Sequence, residues 1–225
     1  MSISLLTPTT NDRIIYFDRL IRCIEAQDYP LENIEWIILD DFFNPKLSEM
    51  VGSYKYIKYM SVDSKKNIGE KRNILNKMAQ GDILINIDDD DYYPPNKISY
   101  VVDCFEKNPE YLISGSSCVY MYYDKEIYRV GPYGTSHATG NTLSYKKKYT
   151  ENNFYRNVTY AEEKQFLRNY TTKLLQLPSI YSILVIRHTS NTANKAPLHK
   201  LRIVKENKMN IESFIKNKSI CKLFL

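Results

Sequence analysis

The 225-residue chain is poor in glycine, cysteine, histidine and tryptophan, with 7, 4, 3 and 1 of them respectively. Each shortage argues against a class of function. Cys23, Cys104, Cys118 and Cys221 are scattered, with no CxxC pair and no histidine close in sequence. A zinc site or a disulfide framework is therefore not expected, and the thiols read as reduced and partly buried. The opening loop TPTTND holds no glycine, whereas a nucleotidyltransferase on an α/β sheet usually shows a Gly-rich phosphate loop near its N-terminus. No apolar run approaches the ~18–20 residues of a membrane span. MSISLLTPTT lacks a basic n-region and a long apolar h-region, so no signal peptide is read and a cytoplasmic location is expected. The sequons at Asn157, Asn169 and Asn217 matter only in a secreted protein.

What remains is ordinary globular material, 43% apolar and 25% charged, sufficient for one domain with a substantial core. The net charge of +5 is uneven: Lys195 to Leu225 carries eight Lys/Arg against two Glu. That basic segment, ending in CKLFL, reads as a solvated helix and tail, or as a peripheral contact to a membrane or partner; no nucleic-acid partner is expected. The abundance of Lys, Asn, Ile and Tyr looks like AT-rich coding, as in some large DNA viruses or low-GC microbes, which would place a viral product in the host cytoplasm.

Apolar periodicity gives strands at 2–6, 33–39, 55–60 and 82–87, alternating with helices at 12–26, 46–52, 68–79 and from Pro94-Pro95 through Phe105. Asn11 or Asp12 is the expected N-cap of the first helix, and Gly81 the expected C′ residue of the third. This alternation predicts an α/β fold with a largely parallel, Rossmann-like sheet and right-handed crossovers. After about 110 the pattern changes to α+β, with a hairpin turn at Asp124-Lys125. A single domain is expected over 1–195, split into halves at 110/111, with 196–225 as the basic helix and tail.

In such a sheet, ligands bind beyond the carboxyl ends of the strands. The loops TPTT, DDFF, SVDSKKN and DDDDYY then share one edge, so Asp40, Asp41 and the run Asp88 to Asp91 face one cleft. Clustered aspartates there suit Mg²⁺ or Mn²⁺, hard cations that take oxygen ligands and keep positions for water or phosphate. On a strand-like trace Asp88 and Asp90 project to one side and Asp89 and Asp91 to the other. Lys65, Lys66, Lys71 and Arg72 add the positive charge that a diphosphate requires. The bland alternative is an acidic turn countered by a basic helix.

NIGEKRNILNKMAQGDILINIDDDDYYPP (67–95) resembles glycosyltransferase family 2: Asn-x-Gly-x-x-x-Arg-Asn on a helix, a Gly-Asp, an apolar strand, then a DxD-type motif followed by Tyr and Pro. SISLLTPTTN and CIEAQDYPLENIEWIILDD resemble the same family's first two strands. The resemblance covers roughly 1–120 and implies a GT-A fold with flanking helices, a smaller acceptor-side region and a divalent cation. It further implies transfer of a sugar, with inversion, from a nucleotide-diphosphate donor (UDP-sugar first) to a hydroxyl of a glycan, lipid or protein. It assigns the donor to Thr7, Pro8, Thr9, Asp40, Asp41, Lys66, Arg72, Asp88 and Asp89. Asp90, with Asp88, is assigned to the metal, with Asp91 as rival register and His188 as an additional ligand. Asp-Asp-Phe-Phe at 40–43 departs from the family's DDGS. The family's base lies in a Glu-Asp pair at a helix start; here Glu162-Glu163 takes that place, with Glu163 as the base and Glu162 its neighbour. A catalytically inactive nucleotide- or sugar-binding module is the other alternative. Gly140 and Asn141 fit the acceptor loop, and His137, Tyr92 and Tyr93 are candidate substrate contacts; Trp36 reads as core.

Overall fold

The computed structural model describes residues 1–188 and 202–225. A seven-stranded sheet runs in the order β3-β2-β1-β4-β8-β5-β9. It is formed by β1 (Ile3–Thr9), β2 (Ile34–Asp40), β3 (Ile57–Ser61), β4 (Ile83–Asn86), β5 (Ile113–Gly115), β8 (Ser144–Lys146) and β9 (Leu175–Gln176). Strands β1 to β4 are mutually parallel, and β8 is antiparallel to both β4 and β5. A smaller sheet, β10-β6-β7-β11, is built from β6 (Val119–Tyr123), β7 (Glu126–Val130), β10 (Leu184–Ile186) and β11 (Ile203–Lys205). The α/β class with a largely parallel central sheet is thus the one the pattern predicts, while part of the α+β half forms a separate second sheet.

Every residue of β1 and β4 is buried, as continuous apolar runs in a two-sided parallel sheet require. Helices α1 (Phe17–Glu25), α2 (Pro45–Val51), α3 (Ile68–Met78) and α4 (Lys97–Lys107) lie between the strands in sequence. Residues Asn11–Tyr16 form a 3-10 segment before α1, with Thr10 as N-cap; the cap expected at Asn11 or Asp12 is therefore displaced. Asn67 and Glu70 close a reciprocal capping box on α3.

Gly81 is not the C′ residue of α3, which ends on an extended Ala79. It is needed because a Cβ there would lie 2.6 Å from the Ser4 backbone nitrogen. Asp124 and Lys125 both take left-handed backbone angles, φ 49° and 62°, in the β6–β7 turn, as a two-residue hairpin demands.

β1 sits at a reversal of strand order: β2 flanks it on one side and β4 on the other. Pairing of β1 with β4 stops at Leu6, while pairing with β2 continues to Thr9. The two strands part beyond Leu6 and Asn86, and open a crevice at their carboxyl ends. Pro8 lies past the last β4 pair, so it removes no donor from that ladder.

The C-terminal residues join the body. β11 pairs with β7, and Ile211, Phe214, Ile215, Ile220, Cys221 and Phe224 form a cluster with Cys23 of α1, Tyr92, Ile127, Leu184 and Ile186. The segment expected as a solvated helix and tail buries its apolar side this way, while Lys216, Lys218 and Lys222 remain exposed. The boundary expected at 195/196 lies outside the described residues. Among the described residues, no helix is long and apolar enough to cross a membrane.

Candidate active site

The crevice is lined by a connected set of acids and bases. Lys71, on α3, bridges Asp41 Oδ2 at 2.8 Å and the Thr9 carbonyl at 2.5 Å. Thr9 Oγ1 donates to Asp89 Oδ2 at 2.6 Å. Arg13, from the 3-10 turn after β1, pairs with Asp89 Oδ1 at 2.8 Å and also with Asp90 Oδ2. His188 Nε2 meets that same Asp90 oxygen at 3.0 Å, and its Nδ1 lies 3.1 Å from the Tyr16 hydroxyl. Residues from four regions of the sequence therefore converge on the turn after β4.

A second arm crosses to the far side. Arg72 donates from Nη2 to Asp88 Oδ1 at 2.9 Å and from Nε to Glu162 Oε1 at 3.0 Å. Its third nitrogen, Nη1, is buried without a hydrogen-bond partner. Gly69 makes the approach of the 156–162 loop possible: a Cβ there would lie 1.8 Å from the Arg156 carbonyl oxygen. Glu163 opens α5 (Glu163–Phe166), and its Oε1 accepts from the Tyr170 hydroxyl at 2.9 Å. The Tyr170 ring in turn lies 4.9 Å from His137.

The four aspartates thus have four environments, and the strand-like alternation expected for them does not occur, because β4 ends at Asn86 and the run is a turn. Asp88 faces Arg72, while Asp89 and Asp90 share Arg13. Asp91 is committed to structure: its Oδ1 accepts from Ile186 N at 2.9 Å and its Oδ2 from Asn141 Nδ2 at 3.1 Å.

Titration follows these environments. Burial opposes ionisation of Asp90, but the hydrogen bonds and charges of His188 and Arg13 prevail and hold its carboxyl below the ordinary range. Burial pushes Asp89 up despite Arg13. Asp91 is raised well above the ordinary value by burial and by the charges of Asp90 and Asp88. Glu162 is raised by burial, against the pull of Arg72. Arg72 keeps its proton firmly, since Asp88 and Glu162 outweigh the cost of its burial.

Several expected contacts lie elsewhere. Thr7 is fully buried, and its hydroxyl accepts from Trp36 Nε1 at 2.8 Å, so Thr9 is the threonine that reaches the aspartate turn. Trp36 is core, as expected. Pro8 is buried within β1. Asp40 is fully buried, accepts from the Tyr59 hydroxyl at 3.1 Å and is raised by burial. Lys66 meets Asp41 through its backbone N–H at 3.0 Å. Tyr92 and Tyr93 are buried at 3% and 1% exposure, so neither presents a face to a substrate. The Tyr93 hydroxyl accepts from Asp88 N at 2.6 Å, and Tyr92 pairs with Leu184. The Arg187 guanidinium lies over Tyr123, 5.3 Å from the ring centroid.

Arg13, Tyr16 and Arg19 were not singled out from the sequence. The only available signal was two arginines on a segment starting at the mouth of β1, which helical periodicity alone does not distinguish from surface charge.

Asp90 and His188 supply one oxygen and one nitrogen donor 3.0 Å apart. Among the described residues no group of three or more His, Cys, Asp or Glu could hold a metal. The pair would suit a cation with few protein ligands that completes its shell with phosphate and water; the imidazole nitrogen favours Mn²⁺ over Mg²⁺, which takes oxygen ligands.

The sequence profile of the family described as Glycosyl transferase family 2 matches residues 4–171. The chain belongs to this family. Among curated proteins it is 27% identical over 96 residues to the poly(ribitol-phosphate) β-N-acetylglucosaminyltransferase TarS of Staphylococcus aureus, a match covering 41% of this chain and 17% of that protein. The structure of S. aureus TarS 1–349 in complex with UDP-GlcNAc superposes with a TM-score of 0.67 at 16% identity, covering 88% of this chain and 62% of that one. A mannosyltransferase from Pyrobaculum calidifontis in complex with GDP-Man and Mn²⁺ gives a TM-score of 0.63 at 13% identity, over 81% of this chain and 56% of that one. These similarities at low identity establish the GT-A fold. The chain spans less than two thirds of each of these relatives.

Proposed function

We propose that this family 2 member transfers a sugar, with inversion, from a UDP-linked donor to an acceptor hydroxyl and depends on Mn²⁺ or Mg²⁺. The observation that carries the reading is the convergence of Asp41, Lys71, Thr9, Asp89, Asp90 and His188 at the crevice where β1 and β4 part. Relatives of the same fold supply the donor class, since TarS has been captured with UDP-GlcNAc and the mannosyltransferase with GDP-Man and Mn²⁺.

The nucleoside lies on the Asp40–Asp41 side, where Phe42 and Phe43 expose flat apolar faces. Asp90 and His188 would hold the cation, which when bound would supply positive charge beside the departing diphosphate. Arg13 compensates the charges of Asp89 and Asp90. Asp88 stays oriented by Arg72. Glu163 takes the acceptor proton as the hydroxyl oxygen attacks the anomeric carbon and the bond to the diphosphate oxygen breaks. Arg72 keeps Glu162 paired, so the neighbouring Glu163 alone is left to accept that proton. The acceptor, a glycan, lipid or protein hydroxyl, approaches past Tyr170 and the 133–141 loop.

The test is release of UDP from UDP-GlcNAc, measured with Mn²⁺ and then with excess chelator. Chelator-sensitive release supports the reading. Absence of release from every UDP-, GDP- and dTDP-sugar tried would overturn it.

A further inference from the structure

The docked C-terminal residues meet the aspartate turn through one half-buried arginine, Arg19. The Arg19 guanidinium lies 4.6 Å from the Tyr16 ring centroid and 4.8 Å from that of Phe224. Its Nη2 donates to the backbone carbonyl of Asp90 at 2.7 Å, and its Nε is buried without a hydrogen-bond partner. Phe224 is 6% exposed and packs edge-on against Tyr92 at 5.6 Å. Tyr92 in turn exchanges both backbone hydrogen bonds with Leu184, at the start of the strand that leads to His188.

Although Arg19 is only half-buried, its Nε is shut off from water, and a guanidinium so placed normally finds a carboxylate. Arg19 instead takes two aromatic faces and a main-chain oxygen. That choice leaves the Asp90 carboxylate to Arg13 and His188 while fixing the backbone beneath it. Tyr16 completes the arrangement from its other side. Its ring lies 4.8 Å from that of His188, and its hydroxyl at Nδ1 directs Nε2 toward Asp90, the role an outer partner plays for a ligating imidazole.

We infer that Phe224 and Arg19 are positioning residues: a clasp from the C-terminal segment that holds the Asp90 turn and, through Tyr16, the His188 ring in register for a divalent cation. The inference rests on the reading of Asp90 and His188 as cation ligands. The clasp itself is a property of the cation-free protein. Removing the Phe224 face frees Arg19 to leave the Asp90 carbonyl, and the turn loosens without loss of any residue that touches the donor.

The test compares wild type, Phe224→Leu, Phe224→Tyr and Arg19→Gln by two readouts. The first is hydrogen exchange of backbone amides 88–92 without metal, referenced to those of β1. The second is Mn²⁺ affinity in the presence of UDP, read from the electron paramagnetic resonance signal of free Mn²⁺. Phe224→Leu and Arg19→Gln should speed exchange at 88–92 about tenfold while β1 is unchanged, and raise the Mn²⁺ dissociation constant about fivefold. Phe224→Tyr, which keeps the ring face, should behave as wild type in both. Unchanged exchange at 88–92 in both disruptive variants overturns the clasp whatever Mn²⁺ does. Faster exchange with unaltered Mn²⁺ affinity overturns its role in cation binding. Faster exchange in a protein whose wild type binds no Mn²⁺ keeps the clasp on the turn and overturns the donor-site reading instead.

Discussion

Asp88 and Glu162 are joined through a single buried guanidinium, that of Arg72, at 2.9 and 3.0 Å. The bridge ties the turn after β4 to the segment that carries the two glutamates. Arg72→Lys keeps the charge but has no planar fork with which to serve both partners. It should lower stability by about 3 kcal/mol, as breaking a buried pair does, and lower turnover at least about tenfold. Urea unfolding and initial rates measure the two effects. Wild-type stability in the variant would show that the bridge is energetically idle.

The two glutamates should separate by substitution. Glu163→Gln should reduce turnover by about 10²–10⁴, the range for loss of a general base, and leave UDP affinity within a factor of two. Glu162→Gln should chiefly cost stability, because it removes one of the two carboxylates that compensate Arg72. Thermal melts and steady-state kinetics on both variants decide the assignment. Equal turnover in Glu163→Gln and wild type would move the base elsewhere.

Asp91→Ala and Asp90→Ala test the register of the aspartate run. Asp91 accepts from Ile186 N and Asn141, so its loss strands buried donors at about 1–3 kcal/mol while Mn²⁺ affinity stays within about threefold. Asp90→Ala should abolish the Mn²⁺ response, and it also costs stability because Arg13 and His188 lose a carboxylate partner, so Mn²⁺ affinity is the readout that separates the two. Calorimetric titration with Mn²⁺, alongside chemical unfolding, distinguishes the two patterns.

Lys97, at the start of α4, is fully buried and its amine has no hydrogen-bond partner. Burial lowers its pKa to about 7 from an ordinary 10.5. Between those values the unfolded chain binds the extra proton, so stability rises with pH, by up to about 1.4 kcal/mol per unit. It levels off above the unfolded pKa and, for this group, below the folded one. Lys97→Met should remove that slope and raise the melting temperature at pH 7. Melting curves of both proteins from pH 6 to 10 measure it; parallel profiles would contradict the argument.

The four early strands and their helices were readable because β1, β2 and β4 are dense apolar runs, β3 alternates, and the helices repeat near 3.6. The crevice followed from strand order, and the tie of Asp41 to Lys71 was within reach as an acid just past β2 and a base in the first turn of α3. The separation of Thr7 from Thr9, both expected at the donor, was not, because alternation places both on the same face of β1 and only the Trp36 indole decides which hydroxyl is consumed. Asp91 escaped for a similar reason: its partners are a backbone amide at 186 and a side chain at 141, and no spacing in the chain announces them. Arg13 and Arg19 look like surface charges until the aspartate turn folds against them.

The most direct measurement is calorimetric titration of UDP into the wild-type protein and Asp90→Ala, each with and without Mn²⁺. The wild type should bind UDP at least about tenfold more tightly with Mn²⁺, and Asp90→Ala should show no such enhancement. UDP binding that ignores Mn²⁺ in the wild type, or an enhancement that survives in Asp90→Ala, would contradict a donor site built on the turn after β4.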